Sequence, residues 1–199
     1  MKTFWDSRYH DQAYVYGKEP NAFFAAQLDR LTPGTLLLPG EGEGRNAVYA
    51  AKNGWVVDAF DQSQSGFEKA MNLASEKKVR INYQVSQIED YSFKSNQYDL
   101  VALIFFHLEN FYRKYLHQLI FDSLKPGGTL LLEAFHTRQL DRDTGGPKSL
   151  SLLFDEQTLS NDFAALDTKI METKLVTLNE GPLHQGEASV IRFIGNKPQ

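Results

Sequence analysis

Five consecutive residues, Gly40-Glu41-Gly42-Glu43-Gly44, set three glycines at alternate positions among two carboxylates, directly after the apolar run TLLL at 35–38. Glycines at the joint between a strand and a helix let a ligand approach the backbone closely, which is how such loops hold nucleotides. The dinucleotide fingerprint G-x-G-x-x-G asks for its third glycine at position 45, where this chain has Arg45. A pyrophosphate there would also face Glu41 and Glu43. Two like unit charges about 4 Å apart repel by roughly 1 kcal/mol in water, and by several-fold more at a lower effective dielectric. The loop therefore suits a ligand that is neutral or cationic where it meets the turn.

Asp61 stands 21 residues after Gly40. At the end of a second strand, its carboxylate is placed to accept hydrogen bonds from both hydroxyls of a ribose. The plainer alternative is a cap on the following helix. Candidates for proton transfer are His107, His136 and His184, each after a strand or in a hairpin loop, although a lone loop histidine is more often a solvated or capping group. His10 is set aside, as is His117, which the helical pattern puts on the outer part of its helix. With 5 scattered histidines and no cysteine, no metal site is read. Trp5, Arg8, Tyr9 and Tyr16 near the N-terminus, and Arg138 after the fifth strand, are the candidates for holding a substrate.

The elements that must position these residues alternate. Strands are expected at 35–38, 55–60, 81–86, 98–106 and 129–135, and helices at 46–53, 65–78 and 109–125, with Gly54 and Pro126-Gly127-Gly128 as stops. On the long helix Tyr112, Leu116, Leu119 and Leu124 fall on or near one face, and the aromatics Phe111, Tyr112 and Tyr115 are read as core. Such alternation predicts βαβ units, hence a mostly parallel sheet with helices on both faces. A short helix at 155–163 precedes strand-like runs at 173–178 and 188–194. The intervening NEGPLHQGE is too short for a crossover helix, so this last pair is expected to be an antiparallel hairpin. The expected fold class is α/β, Rossmann-like, with seven strands in a single domain over 1–199 whose residues 1–30 form an N-terminal lid and helix.

Composition narrows the function. An apolar fraction of 42% and an aromatic fraction of 13% suit a packed globular core. A net charge of −4 gives no general electrostatic reason to bind nucleic acid or an anionic membrane. No apolar run reaches a membrane span and MKTFWDSRYH does not read as a signal peptide, so a cytoplasmic location is expected.

The segments LLLPGEGEGRNA, VVDAFDQS, QVSQIEDYSF, YDLVALIFFHL and LKPGGTLLLEAF together resemble the class I S-adenosylmethionine (SAM) methyltransferases over nearly the whole chain. YVYGKEPNAF (14–23), GGPKSLSLLFDEQTL (145–159) and EGPLHQGEASVI (180–191) are similar to its tellurite-resistance and thiopurine methyltransferase branch. The resemblance implies that Gly40, Gly42 and Gly44 wrap the methionine part of SAM, with Glu41, Arg45 and Gln62 among the other cofactor-binding residues. It also implies that Asp61 holds the ribose, Gln87 and Ile88 flank the adenine, and Ile104 and Phe105 line the cofactor. The family's acidic residue before the glycines is Leu38 here, which makes Glu41 the candidate partner of the methionine amino group. Gln87 replaces another common acid, and Gln185 follows His184 where the tellurite-type branch often has arginine. The expected activity is methyl transfer to a small-molecule substrate. A thiol or chalcogen oxyanion, which when ionised needs no base, is favoured because of the resemblance and the absence of a clear catalytic dyad. A non-catalytic SAM-binding module stays open, as does, with less support, a nicotinamide-dependent oxidoreductase.

Overall fold

The structure, a computed structural model, describes residues 2–11 and 13–199. Seven strands form one sheet, in the spatial order 82–85, 56–61, 35–39, 98–104, 124–135, 185–196 and 167–179. By chain contacts the protein divides into two compact units, 1–92 with 180–183, and 93–179 with 184–199.

The first unit begins with α1 (Lys2–Tyr9) and α2 (Ala22–Leu28), followed by β1 (Thr35–Pro39), α3 (Arg45–Lys52), β2 (Val56–Asp61), α4 (Gln64–Glu76) and β3 (Asn82–Val85). β1 pairs parallel with β2, and β2 with β3. Leu36, Leu37 and Leu38 are at most 1% exposed, as a continuous apolar run covered on both faces requires. Two of these helices start at a side-chain cap. The Asn21 side chain accepts from the Phe24 amide at α2, and Ser63 accepts from the Gly66 amide at α4.

The second unit holds β4 (Tyr98–Ile104), α5 (Asn110–Ser123), β5 (Leu124–Phe135), α6 (Glu156–Asp162), β6 (Asp167–Asn179) and β7 (Gln185–Asn196). β4 and β5 are parallel, whereas β7 runs antiparallel to both β5 and β6. The closing hairpin is thus present, and it is longer than expected. Asp167, Lys169, Glu172 and Lys174 mask the first half of β6, a sheet-edge strand that tolerates charge because much of it faces solvent. β5 also starts earlier than expected. Tyr98 pairs with Leu124 and Leu100 with Thr129, so the Pro126-Gly127-Gly128 turn sits inside the strand as an irregularity.

α5 corrects the sequence reading. Its buried residues are Arg113, Leu116, His117, Ile120 and Ser123. Phe111 is 80% exposed and Tyr115 49% exposed, and Tyr112 and Leu119 are only half-buried. His117, expected outside, is 3% exposed. Its Nδ1 lies 2.9 Å from Asp162 Oδ2, which also accepts from Arg113 Nε at 2.7 Å. The helix buries a polar trio because α6, 45 positions downstream, brings a carboxylate to it.

Candidate functional site

The glycine turn leaves β1 with Gly40, Gly42 and Gly44 all at positive φ (63°, 62° and 86°), backbone that favours glycine. Gly44 caps α3, and a Cβ there would lie 2.5 Å from the Cβ of Ala70 on α4. The third glycine of the turn thus serves helix packing.

Both loop glutamates are committed to the protein itself. Glu41 Oε1 accepts the amides of Asn46 and Ala47 at 2.8 Å each, and Oε2 accepts from Asn46 Nδ2 at 3.3 Å. These amides belong to the first turn of α3, so Glu41 satisfies donors that the helix cannot. Burial raises its pKa to about 7 against the opposing pull of these bonds and of Arg45. Glu43 Oε1 meets Lys69 Nζ at 2.7 Å, and its carboxylate also accepts the Val15 and Tyr16 amides. Lys69 Nζ in turn donates to the Ala13 carbonyl at 2.6 Å. Arg45 donates to the Tyr16 carbonyl and pairs with Glu180 at 2.8 Å, and Glu180 accepts from Asn21 as well. The acidic loop is therefore an anchor for segment 13–21, and the charges that disfavour a phosphate are neutralised from within.

Asp61, at the end of β2, accepts the Gly42 amide on Oδ2 (3.2 Å) and the Ser63 amide on Oδ1 (2.8 Å). Burial raises its pKa to about 6, partly offset by the Ser63 and Gly42 amides and reinforced by the Asp6 charge. Asp6 on α1 accepts from Ser63 Oγ and the Ser65 amide. The four N-terminal candidates come together. Trp5 stacks on Tyr9 with ring centroids 5.5 Å apart, Tyr9 meets Tyr16 edge-on, and Arg8 donates to the Tyr16 hydroxyl at 2.9 Å. A Cβ on Gly42 would lie 2.7 Å from the Tyr9 hydroxyl, so this cluster seats directly on the turn. Gln62 is half-buried; Gln87 is exposed and opens a turn, its carbonyl accepting the Asp90 and Tyr91 amides; Ile88 is buried.

The second unit carries the remaining candidates. Ile104 ends β4 and is half-buried. Phe105 follows at φ 50°, an uncommon backbone for a bulky residue, with its amide on the Glu133 carbonyl at 2.7 Å. Its ring packs on Phe135 and on His184, which is buried. His107 Nδ1 lies 2.6 Å from the Leu152 carbonyl, and Nε2 accepts the Phe135 amide at 3.3 Å. Both ring nitrogens are used, and desolvation lowers the pKa to about 4. His136 Nδ1 accepts the Arg138 amide at 3.1 Å, and its Nε2 lies 3.5 Å from Glu156 Oε2. Arg138 is exposed. Arg192 is tied to Glu133 at 2.5 Å and faces Glu172 at 3.8 Å.

Residues 37–128 match the family model for a methyltransferase domain. The match takes in the glycine turn, Asp61 and the strands through the Pro-Gly-Gly irregularity. A ubiquinone biosynthesis O-methyltransferase of Rickettsia canadensis (strain McKiel) is 35% identical over 104 residues, covering 51% of this chain. The chain spans 42% of that relative's length. Among solved structures, one from work on the conversion of a disulfide bond into a thioacetal group during echinomycin biosynthesis has a TM-score of 0.81 at 15% identity, over 100% of this chain and 92% of that one. The 1,6-didemethyltoxoflavin-N1-methyltransferase of Burkholderia thailandensis, solved with bound S-adenosylhomocysteine, has a TM-score of 0.74 at 17% identity, over 100% and 87%. These likenesses show the fold alone; the match of residues 37–128 to a methyltransferase domain is what supports SAM as the cofactor.

The site's chemistry fits a ribose. A carboxylate offers about four acceptor positions, and the backbone amides at Asp61 leave capacity for hydroxyl donors. Glu41 is engaged by the first turn of α3 in a similar way, its Oε1 accepting two amides and its Oε2 one side-chain donor. Lys69, Tyr83 and Glu180 were not singled out from the sequence. Their partners are 26, 41 and 135 residues away, and no local pattern signals such pairs.

Proposed function

We propose that this protein is a SAM-dependent methyltransferase acting on a small-molecule acceptor, with a thiol or chalcogen oxyanion as the favoured class. The observation that carries the cofactor reading is the direct bond between Asp61 and the Gly42 amide, which ties the end of β2 to the glycine turn. Asp61 would hold the ribose hydroxyls, and Gly40 and Gly42 would let the ligand approach the backbone. When bound, SAM supplies an electrophilic methyl group on a sulfonium that leaves as a neutral thioether. The chain's own tasks are to orient the acceptor in line with that methyl and to exclude water.

Two of the three candidate histidines, His107 and His136, favour an acceptor that needs no base. A neutral imidazole removes a proton through its one free ring lone pair. His107 gives that lone pair to the Phe135 amide, and His136 gives its to the Arg138 amide. Their commitment leaves ionised or already nucleophilic acceptors as the natural class, in line with the tellurite-resistance and thiopurine branch that the terminal motifs resemble. Arg138 and the cluster of Trp5, Arg8, Tyr9 and Tyr16 would position the acceptor, in a protein acting in the cytoplasm.

Calorimetry with S-adenosylhomocysteine tests the cofactor, with NADH as the competing ligand. Saturable binding of the first and none of the second is expected; the reverse would overturn the reading. A panel of thiols, oxyanions and amines then separates an enzyme from a SAM-binding module.

A further inference from the structure

Tyr83 lies on β3, 8% exposed, with its ring edge-on to Phe67 at 5.7 Å. Its hydroxyl donates to the Gly42 carbonyl at 2.7 Å. The amide of the same residue donates to Asp61 Oδ2 at 3.2 Å. Side chains from β2 and β3 thus hold the two peptide groups of one glycine. Gly42 sits at φ 62°, and glycine moves between backbone regions at little steric cost, so its peptide planes stay fixed only while something holds them. Burial and the nearby Asp61, Glu41 and Glu43 charges keep the Tyr83 hydroxyl protonated, so it remains a donor.

We propose that Tyr83 is a positioning residue for cofactor binding. By anchoring the Gly42 carbonyl, it fixes the Gly42 amide on Asp61 and so aims the carboxylate that would receive the ribose. This rests on the SAM reading of the site.

Tyr83→Phe removes the hydroxyl and keeps the ring. Calorimetry with S-adenosylhomocysteine should show Kd rising about tenfold, the scale of one lost hydrogen bond at a buried acceptor. Amide hydrogen exchange at residues 41–44 should accelerate in the same variant. Phe67→Leu is the control, because it loosens packing around the Tyr83 ring but spares the hydroxyl. It should lower Tm and leave Kd within about twofold. An unchanged Kd in Tyr83→Phe, with wild-type protein binding normally, overturns the role of Tyr83 alone. So does a Phe67→Leu variant that raises Kd as much as Tyr83→Phe. A wild-type protein that does not bind S-adenosylhomocysteine overturns the cofactor reading and this inference with it.

Discussion

Glu43 Oε1 and Lys69 Nζ lie 2.7 Å apart, with side chains 2% and 11% exposed, and the glutamate also accepts the amides of Val15 and Tyr16. This one ion pair joins the glycine turn to α4 and to the N-terminal segment. Replacing Lys69 by Ala leaves Glu43 buried without its cation, a loss on the order of 3 kcal/mol of folding stability. Denaturant unfolding measures that loss. Exchange of the Val15 and Tyr16 amides should quicken together, since both rely on the same carboxylate.

Asp61 should govern cofactor affinity. Hydrogen bonds to a charged acceptor are worth roughly 1.5 to 3 kcal/mol each, so Asp61→Ala should weaken S-adenosylhomocysteine binding about tenfold or more. Asp61→Asn, which keeps one acceptor oxygen, should lose less. Calorimetry on the two variants is the check, and an alanine variant with wild-type affinity would reduce Asp61 to a cap on the turn.

Gly42→Val tests the turn from the other side. From the sequence the variant is expected to lose the cofactor and stay folded. In the structure a Cβ there meets the Tyr9 hydroxyl at 2.7 Å and the backbone is at φ 62°. Both Tm and S-adenosylhomocysteine binding should therefore fall. Adding Tyr9→Leu should recover part of the Tm and leave the backbone strain.

Folding should weaken from acid toward neutral pH through Glu41. Burial raises its folded pKa to about 7 from an ordinary 4.5, so its contribution is fully present below about 4.5 and is lost as pH rises to about 7. Asp61, raised to about 6 from 3.8, acts in the same direction between those values. His107, lowered to about 4 from 6.5, acts oppositely, its contribution being present above 6.5 and lost on acidification. The difference between wild type and Glu41→Gln isolates the first effect. Urea unfolding from pH 4.5 to 7.5 should show the stability gap shifting toward the variant as pH rises.

Single replacements of His107, His136 and His184 should chiefly raise KM, with the pH–rate profile following ionisation of the acceptor. A general base would instead contribute roughly 10² to 10⁴ in kcat. A loss of that size in any one variant, with the disappearance of the acid limb of the pH–rate profile, would show that a histidine removes the proton; for His107 that limb would lie near its lowered pKa of about 4.

Local spacing alone determined much of this protein. The run 35–38, the glycines, Gly54 and the run into Asp61 dictate strand, turn, helix and strand because each signal acts within a few residues. The short NEGPLHQGE link likewise dictates an antiparallel ending. Side-chain partnership was decided only in three dimensions. Glu41 and Glu43 read as neighbours of a ligand, yet the first turn of α3 and Lys69 claim them. His117 read as outward until Asp162 supplied the buried partner, and Phe111 read as core although nothing covers it enough to bury it. Periodicity reports which side of a helix is apolar. It carries no information about a carboxylate or a hydroxyl delivered from another element, and in a buried site those partners set charge, pKa and the direction of every donor.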